Sequence, residues 1–320
     1  MTDDLPIVDA HQHFWDPVGG RYPWLSTAPL PVFRYGDYAA LCRPYLPEDF
    51  RRDAAGHRVV ATVHMEAEWD VADEVAETRW LAGLRKEHGL PTVAVGHARF
   101  EAPDVAEVLA GHAAFDFVRG IRQKPAAAAS PAEARRGAPG SMDDARWRQG
   151  YALLERHGLH FDVQTPWWHL DAAADLAGDF PRIPIVINHT ALPADRSAAA
   201  LAGWRRALEV AAARPNVALK ISGLGRADQS WLPGGRPLPR LSRALRRLQG
   251  VRGRPAAGRA ARALPRQRRA DLPDGRETAV SGRLTAGAGP GTMPGHMNAV
   301  TQTTVRTTRG DSPLATLSLT

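Results

Sequence analysis

The sequence has little cysteine and no long apolar run. Cys42 is the single cysteine among 320 residues, so no intrachain disulfide can form, which fits a reducing compartment. No stretch of about 18 apolar residues occurs, which argues against a transmembrane helix. The first residues, Met-Thr-Asp-Asp-Leu-Pro, are acidic and lack the apolar segment of a secretory signal. These absences predict a soluble, cytoplasmic protein.

Aromatic residues and lysine are missing from one part of the chain. After Trp231 there is no Phe, Tyr, Trp or Lys, and Arg, Ala, Pro and Gly dominate as far as Gly295. Residues 1–231 hold 25 basic and 30 acidic residues, whereas residues 232–320 hold 16 basic and 4 acidic ones, so the net charge of +7 describes neither part. We therefore predict a folded domain over 1–231 and a distinct tail over 232–320.

Three interpretations of the tail remain open. Its composition is typical of a natural disordered extension. A shifted reading frame in a GC-rich gene also yields Arg, Pro, Ala and Gly, and this is the interpretation we favour. Binding of nucleic acid is disfavoured, because the tail has no aromatic residues among its basic ones and no recognisable binding motif.

Residues 1–231 alternate between strand-like and helix-like segments. Apolar runs predict seven strands, over 7–10, 59–65, 92–98, 117–121, 160–164, 184–187 and 217–221. Helices are predicted over 71–88, 104–111, 143–157, 170–176 and 199–214, the first with Glu74 and Glu77 facing solvent. This order predicts a parallel α/β fold of the TIM-barrel, (β/α)8 type. The barrel is predicted to be incomplete, because the eighth strand falls where the composition changes.

Two histidines follow the first predicted strand, in the sequence His11-Gln12-His13. Residues i and i+2 of a strand point to the same face, so both imidazoles face one point at the end of the strand where barrel active sites lie. Imidazole is a common zinc ligand. The pair is predicted to bind a metal. His189, after another apolar run, is predicted to be a third ligand or an acid/base catalyst.

Glu66 and Arg122 lie at the ends of two further strands. Glu66 is a candidate metal ligand, catalytic base or substrate contact, and the alternative is a residue that caps the next helix. Arg122 is a candidate clamp for a substrate carboxylate, and the alternative is a salt bridge at the rim of the barrel. No Gly-rich phosphate loop and no Gly-x-Ser-x-Gly elbow occurs.

Other polar and aromatic residues are expected near the mouth of the barrel. Gln164, at the end of the fifth strand, is predicted to hydrogen-bond a substrate. Tyr22 and Trp24, in the segment Tyr-Pro-Trp-Leu, are predicted either to cover a ligand and exclude water or to pack a loop. Lys220, inside the seventh strand, is expected to be packed or paired.

Taken in order, these motifs resemble one family over roughly residues 5–231. They are Val-Asp-Ala-His-Gln-His-Phe-Trp at 8–15, Tyr-Pro-Trp-Leu at 22–25, His-Met-Glu-Ala at 64–67, Gly-Ile-Arg at 120–122, Asn-His at 188–189 and Leu-Lys-Ile-Ser-Gly-Leu at 219–224. The family is the amidohydrolase-related, TIM-barrel metal-dependent hydrolases. Within it the chain is most similar to the sugar-lactone and 2-pyrone-4,6-dicarboxylate lactonases.

The resemblance implies a metal site, but one residue that relatives use there has no counterpart in this sequence. His11, His13 and His189 match the family's histidine ligands for a divalent metal, with zinc as the expected ion, although some relatives hold it weakly or work without it. The Asp that relatives place at the end of strand 8 has no counterpart, since neither Asp271 nor Asp274 lies in a strand-like context.

The implied reaction is hydrolytic opening of a lactone, with a small-molecule lactone or carboxylate as substrate. His189 and Glu66 are the expected catalytic residues. Arg122, Gln164, Tyr22 and Trp24 are the expected substrate contacts. Two alternatives remain, a decarboxylase of the same superfamily and an inactive pseudo-enzyme that lacks the strand-8 Asp.

Overall fold

The computed structural model describes residues 6–32, 36–222, 301–306 and 316–319. Its main feature is a curled sheet in which seven strands follow one another in chain order and each pairs parallel with the next. They are β1 (Ile7–Gln12), β2 (Val59–Met65), β3 (Val93–His97), β4 (Val118–Gln123), β5 (His160–Val163), β6 (Ile185–Ile187) and β7 (Val217–Ile221). The predicted incomplete TIM barrel is confirmed.

Helices connect the strands and cover the outside of the sheet. They are α1 (Pro23–Ser26), α2 (Pro47–Asp53), α3 (Ala76–His88), α4 (Val105–Ala113), α5 (Ala145–His157), α6 (Leu170–Asp179) and α7 (Ala198–Ala212). The sequence analysis missed α1 and α2, whereas the five predicted helices are present. No helix of the described ranges has the length and hydropathy needed to cross a membrane.

The hydrophobic core lies between the sheet and its helices. Phe161 of β5 packs edge-on against Trp147 and Tyr151 of α5, with ring centroids 5.7 and 5.2 Å away. Because neighbouring strand residues face opposite sides, His160 and Asp162 face the interior of the barrel. A side chain at Gly120 of β4 would collide with the His160 ring, so glycine makes room for that ring.

Two short strands of the tail extend the sheet beyond β7. They are β8 (Thr301–Arg306), which pairs antiparallel with β7, and β9 (Thr316–Leu319), which pairs antiparallel with β8. Thr and Val, which favour strands, are frequent in the first of them. An antiparallel neighbour is not the parallel eighth strand of a (β/α)8 barrel. The predicted boundary at residue 231 lies outside the described residues.

Candidate active site

The histidine pair extends from the end of β1, and its two imidazoles face each other. His11 Nε2 lies 3.2 Å from His13 Nε2. His13 Nδ1 lies 2.8 Å from the carbonyl oxygen of Met65, which only accepts, so Nδ1 donates and Nε2 presents its lone pair. Two nitrogens that each lie about 2.0–2.1 Å from one tetrahedral zinc ion stand roughly 3.3 Å apart. The pair therefore fits a shared metal ion.

Burial keeps both imidazoles of the pair neutral. It lowers the pKa of His11 well below the usual range, and the nearby positive charge of Lys220 lowers it further. Burial likewise lowers the pKa of His13, and the positive charge of Arg122 lowers it further. Neutral imidazole is the form that binds metals. The electrostatic setting therefore favours metal binding at the pair.

His189 lies beside the pair, with its ring centroid 4.9 Å from that of His11. Its backbone N–H donates to Ser222 Oγ over 3.1 Å, and its Nδ1 lies 2.9 Å from the same oxygen. The structure thus brings the three predicted histidines together. Within the described residues, however, no group of three His, Cys, Asp or Glu side chains is arranged to hold a metal ion. The fit to a metal rests on the pair, with His189 next to it.

His189 belongs to an unusual left-handed turn at the end of β6. His189, Thr190, Ala191 and Leu192 have φ angles of 54°, 51°, 57° and 54°. Residues other than glycine rarely adopt this region, because Cβ approaches the following carbonyl oxygen. Four in succession form a strained segment. The sequence gives no signal for this turn, since none of its residues is glycine.

Glu66 and Arg122 bind each other inside the barrel. Arg122 Nε donates to Glu66 Oε1 and its Nη2 donates to the Glu66 carbonyl oxygen, both over 2.5 Å. The Glu68 backbone N–H donates to the second carboxylate oxygen over 2.8 Å. Burial alone would raise the pKa of Glu66, but the Arg122 charge and these contacts lower it to about 2. Glu66 is therefore a weak base, and the contacts of Arg122 match the predicted salt bridge.

A second buried ion pair joins β5 and β7. Lys220 Nζ donates to Asp162 Oδ1 over 2.7 Å, which confirms the expectation of a paired lysine. Asn188 Nδ2 also donates to Oδ1, over 3.2 Å, and His160 Nε2 lies 2.7 Å from Oδ2. Burial alone would raise the pKa of Asp162, but Lys220 and His160 hold it below its usual range. Sequence analysis missed Asp162, although its alternation with Gln164 along one strand was a usable signal.

Gln164 remains available for a ligand. Its backbone N–H donates to the Gln123 carbonyl oxygen over 3.3 Å, while its side-chain amide has no hydrogen-bond partner in the described part of the chain. The side chain is 8% exposed, and strand alternation from Asp162 directs it toward the barrel interior. This placement is compatible with the predicted substrate contact.

The aromatic residues near the site form a packed cluster. It consists of Trp15, Tyr22, Trp24, Tyr38 and Trp69. Trp24 Nε1 donates to the Ala67 carbonyl oxygen over 2.8 Å, which ties the loop to the end of β2. Trp15 brings the cluster to the site, with its ring centroid 6.3 Å from that of His13. Tyr22 is fully buried, so its contacts match the packing alternative, whereas Trp24 is partly exposed.

The prediction that Glu74 and Glu77 face solvent is wrong, because both are buried, Glu74 just before α3 and Glu77 in its first turn. Glu77 Oε1 accepts from the Ala67 backbone N–H over 3.0 Å and from the Tyr22 hydroxyl over 3.3 Å, and His64 Nε2 also lies 3.3 Å away. Burial and the charge of Glu66 raise the pKa of Glu77 to about 8. Helical spacing alone did not reveal these inward carboxyl groups, because polar residues occupy several faces of α3.

The chain matches one family profile and several known proteins. The profile is that of the Amidohydrolase family, and it matches residues 8–253, beyond the predicted boundary at 231. The uncharacterized protein y4mH of Sinorhizobium fredii is 39% identical over 228 residues, which are 71% of this chain and 76% of the relative. An L-fucono-1,5-lactonase of Burkholderia multivorans is 28% identical over 231 residues, 71% of each chain.

Solved structures show the same fold. A crystal structure of an amidohydrolase from Burkholderia multivorans with bound zinc is 26% identical, with a TM-score of 0.56 over 72% of this chain and 75% of that one. A second crystal form of a Burkholderia multivorans amidohydrolase, with bound HEPES, is 28% identical, with a TM-score of 0.53 over 69% and 71% of the two chains.

Proposed function

Because the chain belongs to the amidohydrolase family, we propose that it is a hydrolase that opens the lactone ring of a sugar acid or of an aromatic-degradation intermediate. The observation that carries the proposal is the His11–His13 pair, with its Nε2 atoms 3.2 Å apart and His189 beside it. The lactonase relative supports the choice of a lactone as substrate.

His11 and His13 would hold a divalent ion, with His189 beside them, and zinc is the proposed ion because the structural neighbour binds it. When bound, such an ion polarises an ester carbonyl and stabilises the negative charge that develops on its oxygen. Two features of the chain favour binding of this ion. The pair is buried in its neutral form, and the Met65 carbonyl oxygen keeps the proton of His13 on Nδ1, which leaves Nε2 free to bind.

Proton transfer falls to His189 in this proposal. Imidazole is suited to exchange protons near neutral pH, and Ser222 fixes the orientation of the ring. Glu66 keeps its negative charge and acts through that charge, since a carboxyl group with a pKa of about 2 is a weak base. Gln164 and Trp24 are the proposed substrate contacts, and residues 1–231 form the proposed catalytic domain.

A second candidate function is ligand binding without turnover. It is favoured by one observation: within the described residues no group of three His, Cys, Asp or Glu side chains is arranged to hold a metal ion, and the sequence offers no counterpart of the Asp expected at strand 8. Such a chain would bind zinc and a lactone but would not release a product. Turnover therefore separates the two candidates.

The test is a proton-release assay of the purified full chain against sugar lactones and 2-pyrone-4,6-dicarboxylate, after chelation and again with added zinc. We expect zinc-dependent turnover, and we expect His13→Ala to lower zinc affinity about a hundredfold or more, since even outer contacts of a metal site contribute that much. His157→Ala, in the last turn of α5, is the matched control. Equal zinc affinity in His13→Ala and the parent chain would contradict the proposed site. Zinc binding without turnover would favour the second candidate.

A further inference from the structure

The left-handed turn at residues 189–192 is the most strained backbone near the site. Its internal hydrogen bonds are short-range: the Leu192 backbone N–H donates to the His189 carbonyl oxygen over 2.9 Å, and the Thr190 hydroxyl donates to the same oxygen over 2.7 Å. Such bonds also form in right-handed turns, so they do not explain why this segment stays left-handed. Contacts from outside the turn have to hold it.

Three neighbouring elements hold the first two residues of the turn and Asn188, the residue before it. Asn188 is held by Asp162 of β5, over 3.2 Å. His189 is held by Ser222, which follows β7, through both its backbone N–H and its ring. Thr190 is held by α7, because the indole N–H of Trp204 donates to the Thr190 carbonyl oxygen over 2.7 Å.

Ser222 holds the backbone and the ring of His189 together. One hydroxyl oxygen meets both the backbone N–H and the ring Nδ1 of His189, over 3.1 and 2.9 Å. The ring is thereby fixed relative to a backbone whose φ is 54°. The conformation of the turn therefore sets the direction of the imidazole, and with it the 4.9 Å approach to His11.

We propose that Trp204 and Ser222 are positioning residues, which keep the His189 turn left-handed and thereby orient the imidazole of His189 toward the His11–His13 pair. The proposal deepens the proposed function and rests on it, since it treats His189 as part of that site. Trp204 contacts neither the pair nor a substrate through this bond; it acts on the carbonyl group next to His189. No feature of the sequence marks Trp204 for this role.

The test compares two indole-to-phenyl substitutions in the full chain. Trp204→Phe keeps the ring and removes the N–H that holds Thr190. Trp168→Phe is the matched control, because its indole N–H also donates to a backbone carbonyl group, that of Ala128 over 3.0 Å, away from the turn. Zinc affinity is measured by competition with a chromophoric chelator, and the cobalt-substituted chains are compared by visible absorption. Crystal structures of the metal-free chains give the His11–His189 ring distance.

We expect Trp204→Phe to bind zinc about 10–100-fold more weakly, with a changed cobalt spectrum and a longer His11–His189 distance, while Trp168→Phe matches the parent chain. Unchanged affinity together with an unmoved His189 ring would overturn the proposal. If Trp204→Phe fails to fold, Ser222→Ala, which removes a single oxygen atom, is measured in the same way. If the parent chain itself binds no zinc, the proposed function fails, and the ring distance still decides whether these residues position His189.

Discussion

The end of β1 and the layer between β5 and β7 both bury titratable side chains, but only the second gives them a partner of opposite charge. At β1, burial lowers the pKa values of His11 and His13, and both imidazoles are neutral. Between β5 and β7, burial lowers the pKa of Lys220 and alone would raise that of Asp162, but the 2.7 Å contact between the two side chains opposes both shifts. Burial disfavours an isolated charge but permits a paired one.

The difference shows how one barrel separates two tasks. The neutral region offers nitrogen lone pairs, which a cation needs, whereas in the charged region the two side chains are each other's partners. Lys220 also connects the two regions, since its charge helps to lower the pKa of His11. The pair between β5 and β7 therefore supports the neutrality of the imidazoles at β1.

The largest expected effect comes from breaking the charged region. Lys220→Met leaves the Asp162 carboxylate buried without its cation, and we expect the free energy of unfolding to fall by about 3–5 kcal/mol. His11→Gln exchanges a neutral group for a neutral group in the other region and should cost about 1 kcal/mol. Chemical denaturation of the metal-free chains measures both.

A double substitution tests whether the uncompensated charge causes this loss of stability. In Lys220→Met with Asp162→Asn the uncompensated charge is gone, and we expect most of the loss to be recovered. If the double variant is as unstable as Lys220→Met alone, then lost packing and not an unpaired charge explains the effect.

An intermediate effect is expected from acid titration of the Glu66–Arg122 pair. The pKa of Glu66 in the folded chain is about 2, below its ordinary value of 4.5, so its ionised form stabilises the fold above pH 4.5. This contribution, about 3 kcal/mol, should disappear as the pH falls from 4.5 through 2.

The measurement is the difference in unfolding free energy between the parent chain and Glu66→Gln across this pH range. Glu107→Gln, on the exposed face of α4, controls for the loss of any carboxylate. A difference that stays constant from pH 5 to pH 2 would show that Arg122 does not hold Glu66 in its charged form.

The smallest expected effect concerns a neutral side chain at the end of β5. Gln164→Ala removes an amide that has no hydrogen-bond partner among the described residues, so stability should change little. If the amide binds substrate, KM should rise about 2–10-fold with a smaller change in kcat, as for one neutral hydrogen bond. Steady-state kinetics on the best lactone from the substrate panel measures this, and an unchanged KM would remove Gln164 from the substrate contacts.

Parts of the fold could be read from the sequence because hydrophobic periodicity marks them. The bounds of β2 and β7 agree with the prediction, since both strands are apolar runs between polar residues. The placement of His11, His13 and His189 in one site also followed, because parallel strands end at the same edge of a barrel.

What sequence reasoning missed depends on contacts between distant segments. Glu77 lies inside because Ala67, Tyr22 and His64 surround it, and no local pattern of α3 encodes those neighbours. Trp204 meets Thr190 only because α7 packs next to the end of β6. Glu66 and Arg122 lie 56 residues apart in the sequence, so their spacing along the chain does not predict that they form a pair.

The left-handed turn has a consequence for protein engineering. Four residues in this conformation cost roughly 4–8 kcal/mol, at about 1–2 kcal/mol each. A search for thermostable variants will therefore favour glycine or asparagine at Thr190 and Leu192, where either residue relieves strain. A melting curve would show the gain in stability, and an unchanged zinc affinity would show that the left-handed turn still directs His189 toward the pair.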